Sequence, residues 1–206
     1  TVSGSIQASG IYAADTLPGL NPFRDTKASA DLTLEDGTAF DLPINDAHAK
    51  LKLTGTRLDV SDAVMTSQDA TLAVSGSAFL DTKAIDLSFD LTGFDLARIR
   101  DRVKNYANIA GTAKARGTVT GTADDIRATV SAAVDNLTLN GKRYDQAEVS
   151  LAYGANVISD LTLTLKRGAQ SLSVQAANYD IKTNCLQSAT GRIVDINIPD
   201  VWQLLT

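Results

Sequence analysis

Ile85-Asp86-Leu87-Ser88-Phe89-Asp90-Leu91-Thr92 sets four apolar side chains against Asp, Ser, Asp and Thr in strict alternation. Successive side chains of an extended chain point to opposite faces, so this stretch is a strand with one apolar and one wet face. The pattern recurs on both sides of it. Ala28-Ser29-Ala30-Asp31-Leu32-Thr33-Leu34, Ala49-Lys50-Leu51-Lys52-Leu53-Thr54 and Thr71-Leu72-Ala73-Val74-Ser75 precede it. Ile126/Ala128/Val130/Ala132/Val134, Ala147/Val149/Leu151/Tyr153, Leu161/Leu163/Leu165 and Leu172/Val174/Ala176 follow. Turn residues punctuate these runs: Asp36-Gly37, Gly55, Asn140-Gly141, Gly154 and Gly168. Asn140-Gly141 is the strongest hairpin signal, because a type I′ turn needs positive φ at both central positions. The expected class is all-β, built of tandem antiparallel strands.

One segment departs from period two. Leu96, Ile99, Val103 and Tyr106 fall at helical spacing, Asp95 can cap the first turn, and Gly111 lies past the end. The spacing predicts a short amphipathic helix over 95–107, with Arg98, Arg100, Arg102 and Lys104 on its solvated side. A repeat emerges when residue n is placed beside n+100. Ala47 meets Ala147, Leu51 meets Leu151, Leu72 meets Leu172, Val74 meets Val174 and Asp95 meets Asp195. Near the hairpin the shift becomes 104, pairing Asp36-Gly37 with Asn140-Gly141 and Phe40-Asp41 with Tyr144-Asp145. The expected organisation is two units, 1–108 and 109–206, within one continuous sheet. Each closes with a helix, and the second of these (198–206) opens at Pro199.

Composition narrows the function. Of 206 residues 44% are hydrophobic, which excludes wholesale disorder, yet aromatics are only 5%. A thick aromatic core is not expected. Net charge is −5 with scattered basic residues, so the concentrated cationic surface that nucleic acid requires is missing. A single cysteine, Cys185, precludes an internal disulfide. No apolar run reaches the roughly 18–20 residues that span a bilayer, and no signal peptide opens the chain. The start at Thr1 and the finish inside Val201-Trp202-Gln203-Leu204-Leu205-Thr206 suggest a fragment of a longer protein, with targeting and anchoring segments elsewhere.

The polar residues offer no chemistry. His48 is the only histidine, so a histidine-rich metal site is impossible and any Ser-His-Asp triad would have to use it. Its neighbours, Asp46-Ala47-His48-Ala49, place it beside a turn or on a polar strand face. Asp86 and Asp90 share a face but lie about 13 Å apart along a strand, too far to share a proton. Asp124-Asp125 suits a turn, lacking an EF-hand or nonapeptide series around it. Gly117-Thr118-Val119-Thr120-Gly121-Thr122 lacks the Lys and helix of a phosphate loop and reads as a strand with a tight turn. Asn136-Leu137-Thr138 matches a glycosylation sequon of the kind common by chance. The chain is expected to be non-enzymatic, with no cofactor and no metal.

A sheet with one apolar face must hide that face. Small aliphatic side chains in tandem units fit two architectures. One is a solenoid with a packed, dry interior and a structural or adhesive role. The other is an elongated sheet, U-shaped in section, whose inner groove of Leu, Val, Ile and Ala holds an apolar ligand. The run Ile109-Ala110-Gly111-Thr112-Ala113-Lys114-Ala115-Arg116-Gly117-Thr118-Val119-Thr120-Gly121-Thr122, then Leu137-Thr138-Leu139-Asn140-Gly141, Tyr144-Asp145, Val149-Ser150-Leu151 and Leu161-Thr162-Leu163, resembles the repeats of TamB and the wider AsmA-like group of envelope proteins. The likeness covers 109–180 best and 1–108 more loosely. Where many such repeats carry a Pro after the Gly-Thr turn, this chain has Asp124-Asp125.

The resemblance implies a β-taco sheet, a periplasmic location, an inner-membrane anchor outside these residues, and passage of phospholipid between inner and outer membranes in support of outer-membrane biogenesis. For TamB it also implies an outer-membrane barrel partner of the BamA type. On this reading the groove is lined by Leu32, Leu34, Leu51, Leu53, Leu72, Val74, Ile85, Leu87, Phe89, Val130, Val134, Val149, Leu151, Leu161, Leu163, Leu172 and Val174. The partner is phospholipid or another acyl-chain lipid, and membrane contact falls to segments outside the chain.

Overall fold

The computed structural model describes residues 2–9, 26–39, 42–98, 109–139 and 141–195. The strands are β1 (Val2–Ser9), β2 (Lys27–Ala39), β3 (Leu42–Thr54), β4 (Arg57–Ser67), β5 (Ala70–Phe79) and β6 (Ala84–Asp95). There follow β7 (Ala110–Thr122), β8 (Asp125–Leu139), β9 (Lys142–Arg143), β10 (Gln146–Gly154), β11 (Val157–Arg167), β12 (Gln170–Asp180) and β13 (Cys185–Val194). Hydrogen-bonded neighbours follow chain order from β1 to β8 and on through β10 to β13, with β9 paired off this path onto β8. The fold is an all-β open antiparallel sheet. Its chain divides into two compact units, Thr1–Asp90 with Thr118–Ile126, and Leu91–Gly117 with Arg127–Thr206.

In the first unit β2 to β5 form a meander. Gly55-Thr56 joins β3 to β4, and Gln68-Asp69 joins β4 to β5. Gln68 takes a positive φ of 54°, a conformation that costs an ordinary L-residue roughly 1–2 kcal/mol. The Asn45 side chain offsets this by accepting a hydrogen bond from the Gln68 N–H at 2.7 Å. The second unit makes the same bond at positions offset by 100, where the Gly168 N–H donates to Asp145 Oδ2 at 2.6 Å. Here β10 to β12 turn at Ala155-Asn156 and Gly168-Ala169.

Both meanders contain a strand that changes parity. In β4, Leu58 and Val60 oppose Leu53 and Leu51, but beyond them Met65 opposes Ala47 and Ala63 opposes Val74. An extra residue between Val60 and Ala63 moves the apolar set from even to odd positions. Asp62, at φ 50°, lies in this bulge, and its carboxylate sits 3.0 Å from Lys50 Nζ. In β11, Ile158 opposes Tyr153 while Leu163 and Leu165 oppose Val149 and Ala147, with Asp160 at φ 53° between them. Asp tolerates the left-handed region better than bulky residues do, which suits it to such a switch.

Several expectations need correction. Asp36-Gly37 is not a turn. Asp36 does take φ 54°, but pairing continues through Gly37 opposite Ile44 to Ala39 opposite Leu42, so the reversal comes after Ala39. The expected Gly154 turn falls one residue later, because Gly154 still pairs with Val157. Leu139 opposes Lys142, so β8 and β9 pair as a hairpin, while Asn140 of the expected Asn140-Gly141 turn lies outside the described residues. Gly117–Thr122 is the end of β7, and Ala123-Asp124 forms the turn that follows. The helix expected over 95–107 is, in its described part, a single 3₁₀ turn at Leu96–Arg98, where the Ala97 N–H donates to Asp95 Oδ1 at 2.9 Å. Its remainder, and the helix expected over 198–206, lie outside the described residues. None of the described residues is α-helical.

Burial is shallow. No described side chain is fully buried, and the buried apolar residues are Ile44, Ala70, Leu137, Tyr144, Ala147, Leu165 and Ala176. With no described helix laid over them, the sheet's apolar positions sit mostly at intermediate depth.

Candidate functional site

Directly opposed residues on neighbouring antiparallel strands share a face, so register assigns the apolar side of each unit. In the first unit the rung Leu34–Ala47–Met65–Leu72 crosses β2, β3, β4 and β5. Beside it Leu32 opposes Ala49, and Ala63 opposes Val74. Further along, Ala30 opposes Leu51, which opposes Val60, and Ala28 opposes Leu53, which opposes Leu58. A groove of about 390 Å³ lies over the first of these rungs. It is lined by Leu32, Leu34, Ala47, Ala49, Ala63, Met65, Leu72 and Val74, with the intervening Thr33, His48 and Val64. A second hollow, about 660 Å³, runs along Lys27–Asp31 and Lys50–Thr54 and mixes Leu51 and Leu53 with Asp31, Lys50 and Lys52.

The second unit has matching rungs. Val134–Ala147–Leu165–Leu172 crosses β8, β10, β11 and β12, and Ala132–Val149–Leu163–Val174 lies beside it. Val130 opposes Leu151, Leu161 opposes Ala176, and Tyr153 opposes Ile158, which opposes Tyr179. Here the first rung is covered. Leu137, Tyr144, Ala147 and Leu165 form a buried cluster, and Leu96, Ile109, Val134, Leu139, Leu163 and Leu172 pack against it. The β8–β9 hairpin brings Tyr144 back to β8, where its N–H donates to the Leu137 carbonyl at 2.7 Å.

The structure brings Leu32, Leu34, Leu72 and Val74 into one groove and places Leu51 and Leu53 in the neighbouring hollow. Ile85, Leu87 and Phe89 occupy half-buried positions of β6 that alternate with exposed Asp86, Ser88 and Asp90. Val130, Val134, Val149, Leu151, Leu161, Leu163, Leu172 and Val174 are likewise half-buried, on the apolar side of the second unit. The groove floor at Ala47, Ala49, Ala63 and Met65 was not among the candidates. The signal for Ala63 and Met65 was the parity change at Asp62.

One row on the opposite face differs in charge between the units. The first unit presents Asp31 opposite Lys50, whose ammonium the hydrogen-bonded Asp62 carboxylate, and then Asp31, hold above the ordinary lysine pKa. The second presents the row Ser131–Ser150–Thr162–Gln175–Thr190, in which Ser150 Oγ and Thr162 Oγ1 are 2.5 Å apart. His48 is exposed on the polar side of β3, opposite Thr33, with its Nδ1 3.8 Å from Asp46 Oδ2. Cys185 is exposed at the start of β13. Among the described residues no group of three or more His, Cys, Asp or Glu could hold a metal ion. No described helix is long and apolar enough to cross a membrane.

Fold and site together define an open antiparallel sheet with a half-exposed aliphatic face. No family model matches the chain, and neither a curated protein nor a solved structure matches it.

Proposed function

We propose that this chain is a segment of a bridge-like lipid carrier, and that the apolar face of its sheet holds acyl chains. The observation that carries this reading is the groove over Leu34–Ala47–Met65–Leu72, an aliphatic surface left accessible in a well-formed sheet. Its volume of about 390 Å³ falls in the range of ligand clefts, roughly 300–1,000 Å³. Recognition there is by apolar area, on the order of 0.8 kcal/mol for each methylene fully removed from water. Apart from Thr33 and His48 the lining is aliphatic, which suits a carrier that accepts a mixture of phospholipids. Long exposed aliphatic surfaces invite aggregation, so a resident lipid also gives the face a cover.

The resemblance to TamB and AsmA-like repeats extends the proposal to the whole protein. It would be periplasmic, anchored in the inner membrane by segments outside this chain, and would pass phospholipid toward the outer membrane, with a BamA-type barrel as a candidate partner. The packed cluster at Tyr144 favours the other architecture, a structural or adhesive β-solenoid that is dry throughout. The accessible rung in the first unit favours the lipid reading.

A photo-crosslinking residue at Leu72 or Leu34, compared with controls at Asp31 and Lys50, tests it in cells. Lipid adducts are expected at the two leucines and not at the controls. Adducts confined to the controls, or a chain that yields none, would remove the carrier reading.

A further inference from the structure

We infer that the cluster around Tyr144 is a built-in stop on the apolar face of the second unit, confining acyl chains there to the rungs beyond Val134–Ala147–Leu165–Leu172. This rests on the lipid reading proposed above and adds to it a residue set that limits where the ligand lies. The argument is a comparison of equivalent positions. Ala47 and Ala147, and Leu72 and Leu172, occupy the same places in the two rungs. In the first unit the rung borders a groove of about 390 Å³. In the second unit Ala147 and Leu165 are only 6% and 7% exposed, covered within the cluster that Leu137 and Tyr144 complete.

The cover has a local cause. The 104-residue shift expected at the hairpin does not hold: Ala39 opposes Leu42 as Leu139 opposes Lys142, and Gly37 opposes Ile44 as Leu137 meets Tyr144. Leu137 and Tyr144 therefore stand 100 residues after Gly37 and Ile44. A side chain at position 37 would point over the rung, since a Cβ built there lies 3.1 Å from Leu34 Cδ2. Glycine adds no side chain there in the first unit, where Leu34 already lies against the position and Ile44 is itself buried; in the second, leucine and the larger tyrosine add to the cover. Leu96 and Ile109 add further apolar contact to the cluster. An acyl chain could enter this rung only by displacing side chains that already make the same contacts, so it gains little there. Around Leu151 and Tyr153 the face is half-buried, while Ala176, opposite Leu161, is covered again at 4% exposure.

The test uses the full chain incubated with a phosphatidylcholine carrying a diazirine on its acyl chain, irradiated, digested and mapped by mass spectrometry. In the unaltered protein, adducts are expected on Ala47, Met65 and Leu72, with roughly ten-fold fewer on Ala147 and Leu165, the equivalent of about 1.4 kcal/mol. Tyr144→Ala should raise the Ala147 and Leu165 adducts toward the level at Ala47 and Met65, and Tyr144→Phe should leave them low. Equal labelling of the two rungs in the unaltered protein overturns the stop and leaves the carrier reading standing, and this comparison needs no variant to fold. Absence of adducts at every apolar position overturns the carrier reading, and the stop with it.

Discussion

The rungs Leu34–Ala47–Met65–Leu72 and Val134–Ala147–Leu165–Leu172 are built from nearly the same side chains, yet one borders a groove and the other is packed shut. Strand pairing is equivalent in the two, and so is the side-chain bond that braces the following turn, Asn45 to Gln68 in one and Asp145 to Gly168 in the other. What differs lies at the rim, where Gly37 and Ile44 correspond to Leu137 and Tyr144. Where these hairpin residues differ, the exposure of the rung beside them differs too. A repeat can therefore keep its sheet and change its access.

The most direct way to break this comparison is to truncate the same position in both rungs. Leu165→Ala empties a packed site and should cost about 3 kcal/mol, within the 2–5 kcal/mol typical of buried leucine truncations. Met65→Ala removes a half-exposed side chain bordering open space and should cost roughly 1 kcal/mol, since little of its area was withdrawn from water. Urea denaturation of the two variants gives the difference. Equal costs would mean that the first rung is packed as tightly as the second.

The part the units share can be tested next. Both bulges place an Asp at positive φ, Asp62 at 50° and Asp160 at 53°. Valine is β-branched and strained there, so Asp62→Val and Asp160→Val should each lower stability by about 2 kcal/mol. Asp62→Gly and Asp160→Gly should stay within about 1 kcal/mol of the parent, because glycine accepts the conformation. Asp62 also loses its exposed pairing with Lys50 in either variant, a contribution of roughly 0–1 kcal/mol. A unit in which Val is tolerated as well as Gly would not have its register set by this residue.

Much of the fold was legible because period two is a direct imprint of a sheet with unlike faces. Ile85–Thr92, Ala49–Thr54 and Leu161–Leu165 all lie in strands, as their alternation required. The bulges were harder to read. Leu58-Asp59-Val60 and Ala63-Val64-Met65 alternate on opposite parities, and a search for unbroken alternation passes over the join at Asp62. Asp36-Gly37 was misread for a related reason. A left-handed Asp before Gly suits a hairpin turn and an in-strand kink equally well, and only the partner strand, through Gly37 opposite Ile44, distinguishes them. The aliphatic candidates for the site came from alternation alone. Which of them are covered depends on Leu137 and Tyr144 folding back, a tertiary event without a periodic signature.

Filling the open rim is the reverse experiment. Gly37→Leu introduces the side chain that position 137 already has, and the nearest atoms it would meet belong to the Leu34 side chain, which can move. Burying the new leucine over the rung should stabilise the first unit by about 1 kcal/mol, part of the 1.5–3 kcal/mol of complete burial. It should also abolish acyl-chain labelling at Ala47 and Met65. A Gly37→Leu chain that still takes up the probe at those two residues would show that the rim does not control access.

The smallest effect lies at the turns that end β5 and β12. In the first unit Asp81 Oδ1 accepts one hydrogen bond, from the Thr82 N–H at 2.8 Å. In the second, Asp180 Oδ1 accepts two, from Lys182 and Thr183 N–H at 2.9 and 3.0 Å. The Thr183 N–H contributes most to holding the Asp180 carboxyl below its ordinary pKa of 3.8. A carboxyl whose pKa is lower folded than unfolded contributes stability above the unfolded value and loses it as pH falls through the folded one. Protection of the Thr183 amide, followed by NMR, should therefore hold at neutral pH and decline below about pH 4, the unperturbed range of an aspartate. The Asp180→Asn chain should show no such decline. Because the side chain is exposed, the change should stay local to the β12–β13 hairpin and leave the global unfolding midpoint nearly unmoved. A midpoint that followed the titration of Asp180 would mean that this hairpin, unlike its counterpart at Asp81, is part of the cooperative core of its unit.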